Sequence, residues 1–306
     1  MSTDARGRQG WVVIAALLLV AGCGATSGQS GGSGPTSPSA TSTAGSAGHA
    51  TPVAAANRPA GDPTAPATVT TGSAAAAPPV PGAVPTRYGT PGELSTAVLA
   101  AVRARGSVLI TTTARGTPLV SRRSVQLGPA GQNSASQLTM PGQPEQTLVV
   151  ADGVPYLSVD DDGQGRHWQR TRFEDLAASK VWASAVYAVD LPTELESWRL
   201  GAVLTGGDVA TLAGEAVRTY TLTLGPEAAS AQVRLDRVAL ADRPAVSERL
   251  GRMRYDLTVT LGADDLPRTV ATVAPASGLL TTQTYSAWGE VTVPAPRPDD
   301  VVVPAG

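Results

Sequence analysis

Few residues in this 306-residue chain are of types that carry chemistry, and their spacing suits little of it. There is one cysteine, Cys23, and there are two histidines, His49 and His167. His49 lies in a low-complexity stretch, so a Ser-His-Asp triad in any folded part has to use His167, and no Cys/His zinc set can form there. His167 follows the turn Asp160-Asp161-Asp162-Gly163 and reads as a surface residue at a strand end. The three aspartates lack the spaced oxygen ligands and distal Glu of a calcium loop, so a solvated hairpin tip is expected. Gly28-Gln29-Ser30-Gly31-Gly32 matches the nucleophile-elbow pattern, but that motif needs a strand before it and a helix after it, and neither flank reads as structured. Arg122, Arg123, Arg166, Arg170 and Arg172 have the charge to form an anion site if the fold gathers them. With 22 Arg to a single Lys in the chain, ordinary surface arginines are the plainer reading. Trp168, Trp182, Trp198 and Trp288 read as core or cavity-mouth packing. No nucleotide-binding glycine motif is present, and nothing here assembles an enzyme site.

Cys23 is different. It ends a segment with Arg6 and Arg8 at its start and the apolar run Trp11–Val20 in its middle. Ten residues rising 1.5 Å each are too short to span ~30 Å of hydrocarbon, but they suit the core of an export signal. Val20-Ala21-Gly22-Cys23 resembles the bacterial lipobox. That resemblance implies cleavage before Cys23, leaving residues 1–22 as signal peptide, and a diacylglyceryl thioether on its sulfur. Two or three acyl chains, at roughly 0.8 kcal/mol per buried CH₂, hold a chain stably at a membrane where one is marginal. The expected location is the extracytoplasmic face of the cell membrane.

Residues 23–86 then read as a tether. Between Gly24 and Thr86, 54 of 63 residues are Ala, Gly, Pro, Ser or Thr, too little apolar bulk to offset ordering entropy. A flexible chain of that length spans roughly 40–50 Å. Residues 87–306 remain for one folded domain, with 20 basic and 23 acidic residues and no basic runs, which argues against nucleic acid.

The elements of that domain are legible from pattern. Thr90-Pro91-Gly92-Glu93 starts a helix that carries Leu94, Val98 and Val102 on one face and ends at Gly106. Strands follow at 107–113, 121–127, 134–140, 146–151, 155–159 and 167–171, with Asp152-Gly153 as a hairpin turn. Capping boxes at Thr171–Glu174 and Thr193–Glu196 open two helices, the first running to about Trp182 and the second through Trp198. Strands at 209–213 and 217–224, a helix at 227–240, and strands at 253–261, 268–274 and 279–288 complete the chain. In 253–261 apolar Met253, Tyr255, Leu257, Val259 and Leu261 alternate with polar residues, which marks a half-buried antiparallel strand. The fold class is α+β, a large antiparallel sheet with helices on one face.

Several segments together resemble the LppX/LprG/LprA/LprF family of actinobacterial lipoproteins, whose fold is LolA-like. They are the lipobox, Ala151–Leu157, Gly214–Thr223, Tyr255–Leu261, Asp265–Arg268 and Thr284–Glu290 with Val293–Pro296. The long tether and the single Phe depart from the family pattern. The resemblance implies a curved half-barrel closed by helices, no enzymatic activity, and an apolar cavity that carries acyl chains of lipids or glycolipids. On that reading Val108, Ile110, Leu148, Val150, Tyr220, Leu222, Leu224, Tyr255, Leu257 and Val259 are the lining candidates, with plain core packing as the alternative for each. The expected ligand is an acylated lipid or glycolipid, its chains buried and its head in water, with no cofactor or metal. Any protein partner would be an envelope transporter or another envelope protein. The competing reading is a sensory or scaffolding lipoprotein that binds such a partner with a solidly packed domain.

Overall fold

The structure is a computed structural model and describes residues 83–116, 120–139, 145–159, 167–179, 182–274 and 279–302. The signal segment, Cys23, most of the tether, Gly28–Gly32, His49, Asp160–Gly163 and Arg166 lie outside those residues. The first helix, α1 (Pro91–Arg105), forms as its sequence dictates. The Thr90 hydroxyl accepts from the Glu93 amide at 3.2 Å, and Gly106 closes the helix at φ 74°, a conformation open to glycine at no steric cost. Leu94, Val98 and Val102 are fully buried, at roughly 1.5–3 kcal/mol each.

Six strands follow: β1 (Ser107–Ala114), β2 (Val120–Gly128), β3 (Gly131–Thr139), β4 (Gln146–Ala151), β5 (Val154–Val159) and β6 (His167–Arg170). They form an antiparallel meander. Asp152 at φ 50° and Gly153 at φ 77° make the expected tight turn between β4 and β5. The expected helix at 171–182 is broken into α2 (Phe173–Ala178) and α3 (Ala183–Tyr187). Thr171 does not cap it: Arg172 takes the cap position and offers no side-chain bond. The next helix, α4 (Leu191–Ser197), begins before its expected start because Asp190, not Thr193, is the cap, accepting from the Thr193 amide at 2.8 Å. A 3₁₀ turn at Trp198–Leu200 follows.

The second meander is β7 (Val203–Leu212), β8 (Glu215–Leu224), β9 (Tyr255–Leu261), β10 (Pro267–Ala274) and β11 (Leu279–Ser286). Between β8 and β9, in place of one helix at 227–240, stand α5 (Pro226–Ala231), a 3₁₀ turn and α6 (Arg243–Leu250). Pairing of β1 with β11 joins the meanders into one sheet, ordered β12-β6-β5-β4-β3-β2-β1-β11-β10-β9-β8-β7. β12 (Val301–Val302) runs parallel to β6, so the sheet is mixed and not wholly antiparallel. Two residues carry too little pattern to be read as a strand beforehand. Register breaks at Gly206/Asp208 and Pro267/Thr269 accompany the curvature. Gly206, at φ 88°, must stay a glycine, since a Cβ would sit 2.7 Å from the Thr219 carbonyl.

The helices cover one face, and this inner face holds two separate cores. The larger packs α1, α4, α5 and α6 on β1 and β8–β11, around Trp198, Tyr220 and Tyr255. The smaller packs Leu176, Trp182 and Val186 on Ala114, Leu138 and Leu148. On the opposite face Val293 rests on Val149 and Ala151, which leaves β4 buried on both sides. Pro85 and Thr86, assigned to the tether by composition, are tied to β8: their carbonyls accept from Arg218 Nε at 2.6 Å and from the Tyr220 hydroxyl at 3.0 Å.

Candidate functional site

Between the two cores the inner face changes character. Strand register carries one row across it, Leu148, Ser136, Arg123, Ile110 and Tyr285 from β4 to β11. The neighbouring row runs Leu138, Ser121, Thr112 and Gln283. Above these rows stand Trp182, Ala185, Ala188, Val189 and Glu194 from the α3–α4 region, with Gln232 after α5. Together they enclose a narrow crevice. Counting every gap between its lining atoms and the solvent at its mouth, it measures about 880 Å³, yet a water-sized sphere finds room in only about 70 Å³. A dry 150 Å³ cavity admits benzene, and ligand pockets run to roughly 300–1,000 Å³. The walls are therefore nearly closed on one another.

Part of the polar lining is satisfied internally. The Tyr255 hydroxyl donates to Gln232 Oε1 at 2.7 Å, Gln232 Nε2 donates to Ser197 Oγ at 2.8 Å, and Ser197 donates to the Glu194 carbonyl at 2.6 Å. The Tyr285 hydroxyl donates to Gln283 Oε1 at 2.8 Å. The two charged groups are not so held. Arg123 and Glu194 are half-buried and both line the crevice. Each feels the other's charge, but among the described residues neither has a side-chain hydrogen bond or an ion pair. Loss of water lowers the Arg123 pKa and raises that of Glu194, and each charge partly opposes the other's shift. Burial, reinforced by the Glu194 charge, raises the hydroxyls of Tyr255 and Tyr285.

Of the ten lining candidates, Ile110, Leu148 and Val150 line the crevice. Val108, Tyr220, Leu222, Leu224, Tyr255, Leu257 and Val259 are buried in the larger core, packed against α1, α4, α5 and α6. Of the five arginines, Arg166 lies outside the described residues and the other four do not assemble. Arg122, Arg170 and Arg172 are exposed, while Arg123 faces inward. Adjacent residues of a strand point to opposite faces, so the pair Arg122-Arg123 already required one arginine on the face of Val125. That signal was present in the sequence and outweighed by composition. Glu194 stands inside the expected Thr193–Glu196 capping box, whose acidic partner is Glu196, and Gln232 and Gln283 carry no local signal. Trp182 and Trp198 are buried, and Trp288 stacks on Tyr285 with ring centroids 6.0 Å apart. His167 is half-buried at the start of β6. Among the described residues no three His, Cys, Asp or Glu side chains group as metal ligands, and no helix is long and apolar enough to cross a membrane.

No family model and no curated protein sequence matches the chain. Among solved structures it is similar to LprF of Mycobacterium bovis, at 15% identity and TM-score 0.44, over 67% of this chain and 96% of that one. It is similar to the lipoprotein LppX of Mycobacterium tuberculosis at 13% and 0.44, over 67% and 98%. The MucA/MucB complex of Pseudomonas aeruginosa gives 13% and 0.34, over 68% of this chain and 59% of the matched one. The first two are the kind of protein that the sequence segments resemble.

Proposed function

We propose that the chain is a membrane-anchored envelope lipoprotein that binds one end of a lipid or other amphiphile, without catalysing a reaction. The observation that carries this is the crevice between the two cores, walled by Ile110, Leu148 and Val150 from the sheet and by Trp182, Ala185 and Val189 from the helical side. Its narrow volume excludes the several chains of a glycolipid and suits one end of a single amphiphile. Admitting more requires α2 and α3 to move outward. Their apolar hold on the sheet is the small cluster around Leu176, Trp182 and Val186. Their polar ties run sideways: Arg237 lies 3.8 Å over the Phe173 ring and donates to the Val186 carbonyl at 3.1 Å. The driving force is burial of apolar surface at ~25 cal/mol per Å². Attachment through Cys23, with residues 24–84 as tether, would hold the domain outside the membrane surface.

Native mass spectrometry of the full chain, purified from a related host, tests this. An acyl-bearing molecule released from the protein is expected, and its absence sinks the reading. Cys23→Ala should move the chain from the membrane to the soluble fraction; continued membrane retention rejects the lipid anchor.

A second reading has its own support. The larger core is filled, and β7 is an edge strand that exposes Val203 and Val209 at about half of their surface. Such an edge accepts an added strand from a protein partner. Recovery of a stoichiometric protein in place of lipid selects this reading.

A further inference from the structure

The charges inside the crevice reverse the orientation that the sequence suggests, in which chains are buried and the head remains in water. A half-buried arginine and a half-buried carboxyl that, among the described residues, have no hydrogen bond or ion pair lose part of their hydration with no protein group replacing it, and both line the crevice. Buried polar groups in folded proteins are otherwise almost always satisfied, and the neighbouring Tyr255–Gln232–Ser197 chain follows that rule. Arg123 and Glu194 stand outside that network and line the crevice with no protein partner among the described residues.

We propose that the crevice binds the anionic end of an amphiphile, a carboxylate or phosphate, on the Arg123 guanidinium. This rests on the amphiphile-binding reading and adds which end enters and what holds it. Guanidinium is planar and presents paired donors that match a carboxylate or phosphate. Ser121 and Ser136, on the same sheet face beside Arg123, supply short hydroxyl donors to the same spot. Glu194 faces the site from α4; burial raises its carboxyl, and an arriving anion raises it further, towards the neutral form that donates a hydrogen bond to the anion and does not repel it. Ile110, Leu148 and Trp182 then line the path of the first carbons behind the head. A recess of about 70 Å³ fits a small anionic group far better than a chain.

Isothermal titration of the full chain with octanoate, octyl phosphate and octanol at pH 7 tests this. One or both anions should bind at least tenfold more tightly than octanol, the ratio expected when a charge-assisted hydrogen bond worth ~1.5–3 kcal/mol is available to one ligand only. The tighter anion identifies the source as a fatty acid or a phosphate-bearing lipid. Arg123→Met should abolish the preference and Arg123→Lys should keep part of it. Equal binding of octanol and the anions by the wild type overturns the inference and leaves the amphiphile-binding reading intact. Binding of none of the three overturns both. The wild-type comparison stands even where a variant fails to fold.

Discussion

If Arg123 and Glu194 are held for a ligand, they are a burden on the empty protein, and removing both should stabilise it. Arg123→Met keeps the apolar stem and most of the volume, while Glu194→Gln keeps the shape. Among the described residues neither side chain donates or accepts a hydrogen bond, so the double variant gives up only their mutual attraction. At an effective dielectric of ~20 that attraction is about 4 kcal/mol at 4 Å and falls as the charges separate. These two do not close to an ion pair, so the attraction is smaller, whereas complete dehydration costs several kcal/mol for each ion and both are partly dehydrated. Their remaining exposure puts the balance at the low end, about 1 kcal/mol in favour of the double variant. For a domain of this size that raises Tm by at least ~2 °C. Each single variant leaves one charge alone and should fall below the double. The assay is urea and thermal unfolding of the full chain, followed by circular dichroism without added ligand.

The pH profile supplies a second readout. Burial raises the Glu194 carboxyl above its ordinary 4.5, so between 4.5 and the raised value the folded chain binds a proton that the unfolded chain releases. The contribution of this group to stability is complete below 4.5 and is lost as pH rises through that window. Glu194→Gln should flatten this decline and gain relative to wild type as pH rises. A double variant that melts below the wild type refutes the premise: the two charges would then support each other and need no ligand.

Two further predictions concern how the site is held. Asp190→Ala removes the cap of α4, the helix that carries Glu194, and should cost about 1 kcal/mol in urea unfolding. Arg268→Ala should cost about 2–3 kcal/mol by the same measurement, since Arg268 bonds Glu215 at 2.9 and 2.6 Å and Asp264 at 2.9 Å near the β9–β10 turn, and its loss leaves two carboxylates side by side. In Arg268→Ala the anion preference over octanol should persist, because these groups lie outside the crevice.

The sequence by itself determined what local chemistry determines. Thr90, Pro91 and Gly106 bound α1, the alternation in Tyr255–Leu261 makes a strand with one buried face, and Asp152-Gly153 turns the chain between β4 and β5. These outcomes depend on φ, ψ and side-chain period within a few residues, so they are readable without the rest of the molecule. Helix ends set by competition were misread: Asp190 and Thr193 both suit a cap, and only the packing of Leu191 and Leu195 decides between them. Tertiary structure alone decided which apolar strand faces are filled by helices and which also line the crevice. Tyr220, Leu222 and Val259 have the same pattern as Ile110 and Leu148, yet the former are covered within the larger core and the latter, at the facing edges of the two cores, also line the crevice. It also decided that Arg123 points inward opposite Ile110 while Arg122 meets water, and that Glu194, 71 positions later in the chain, faces the same crevice. A charge becomes costly or useful only through what surrounds it, and that depends on residues far away in sequence.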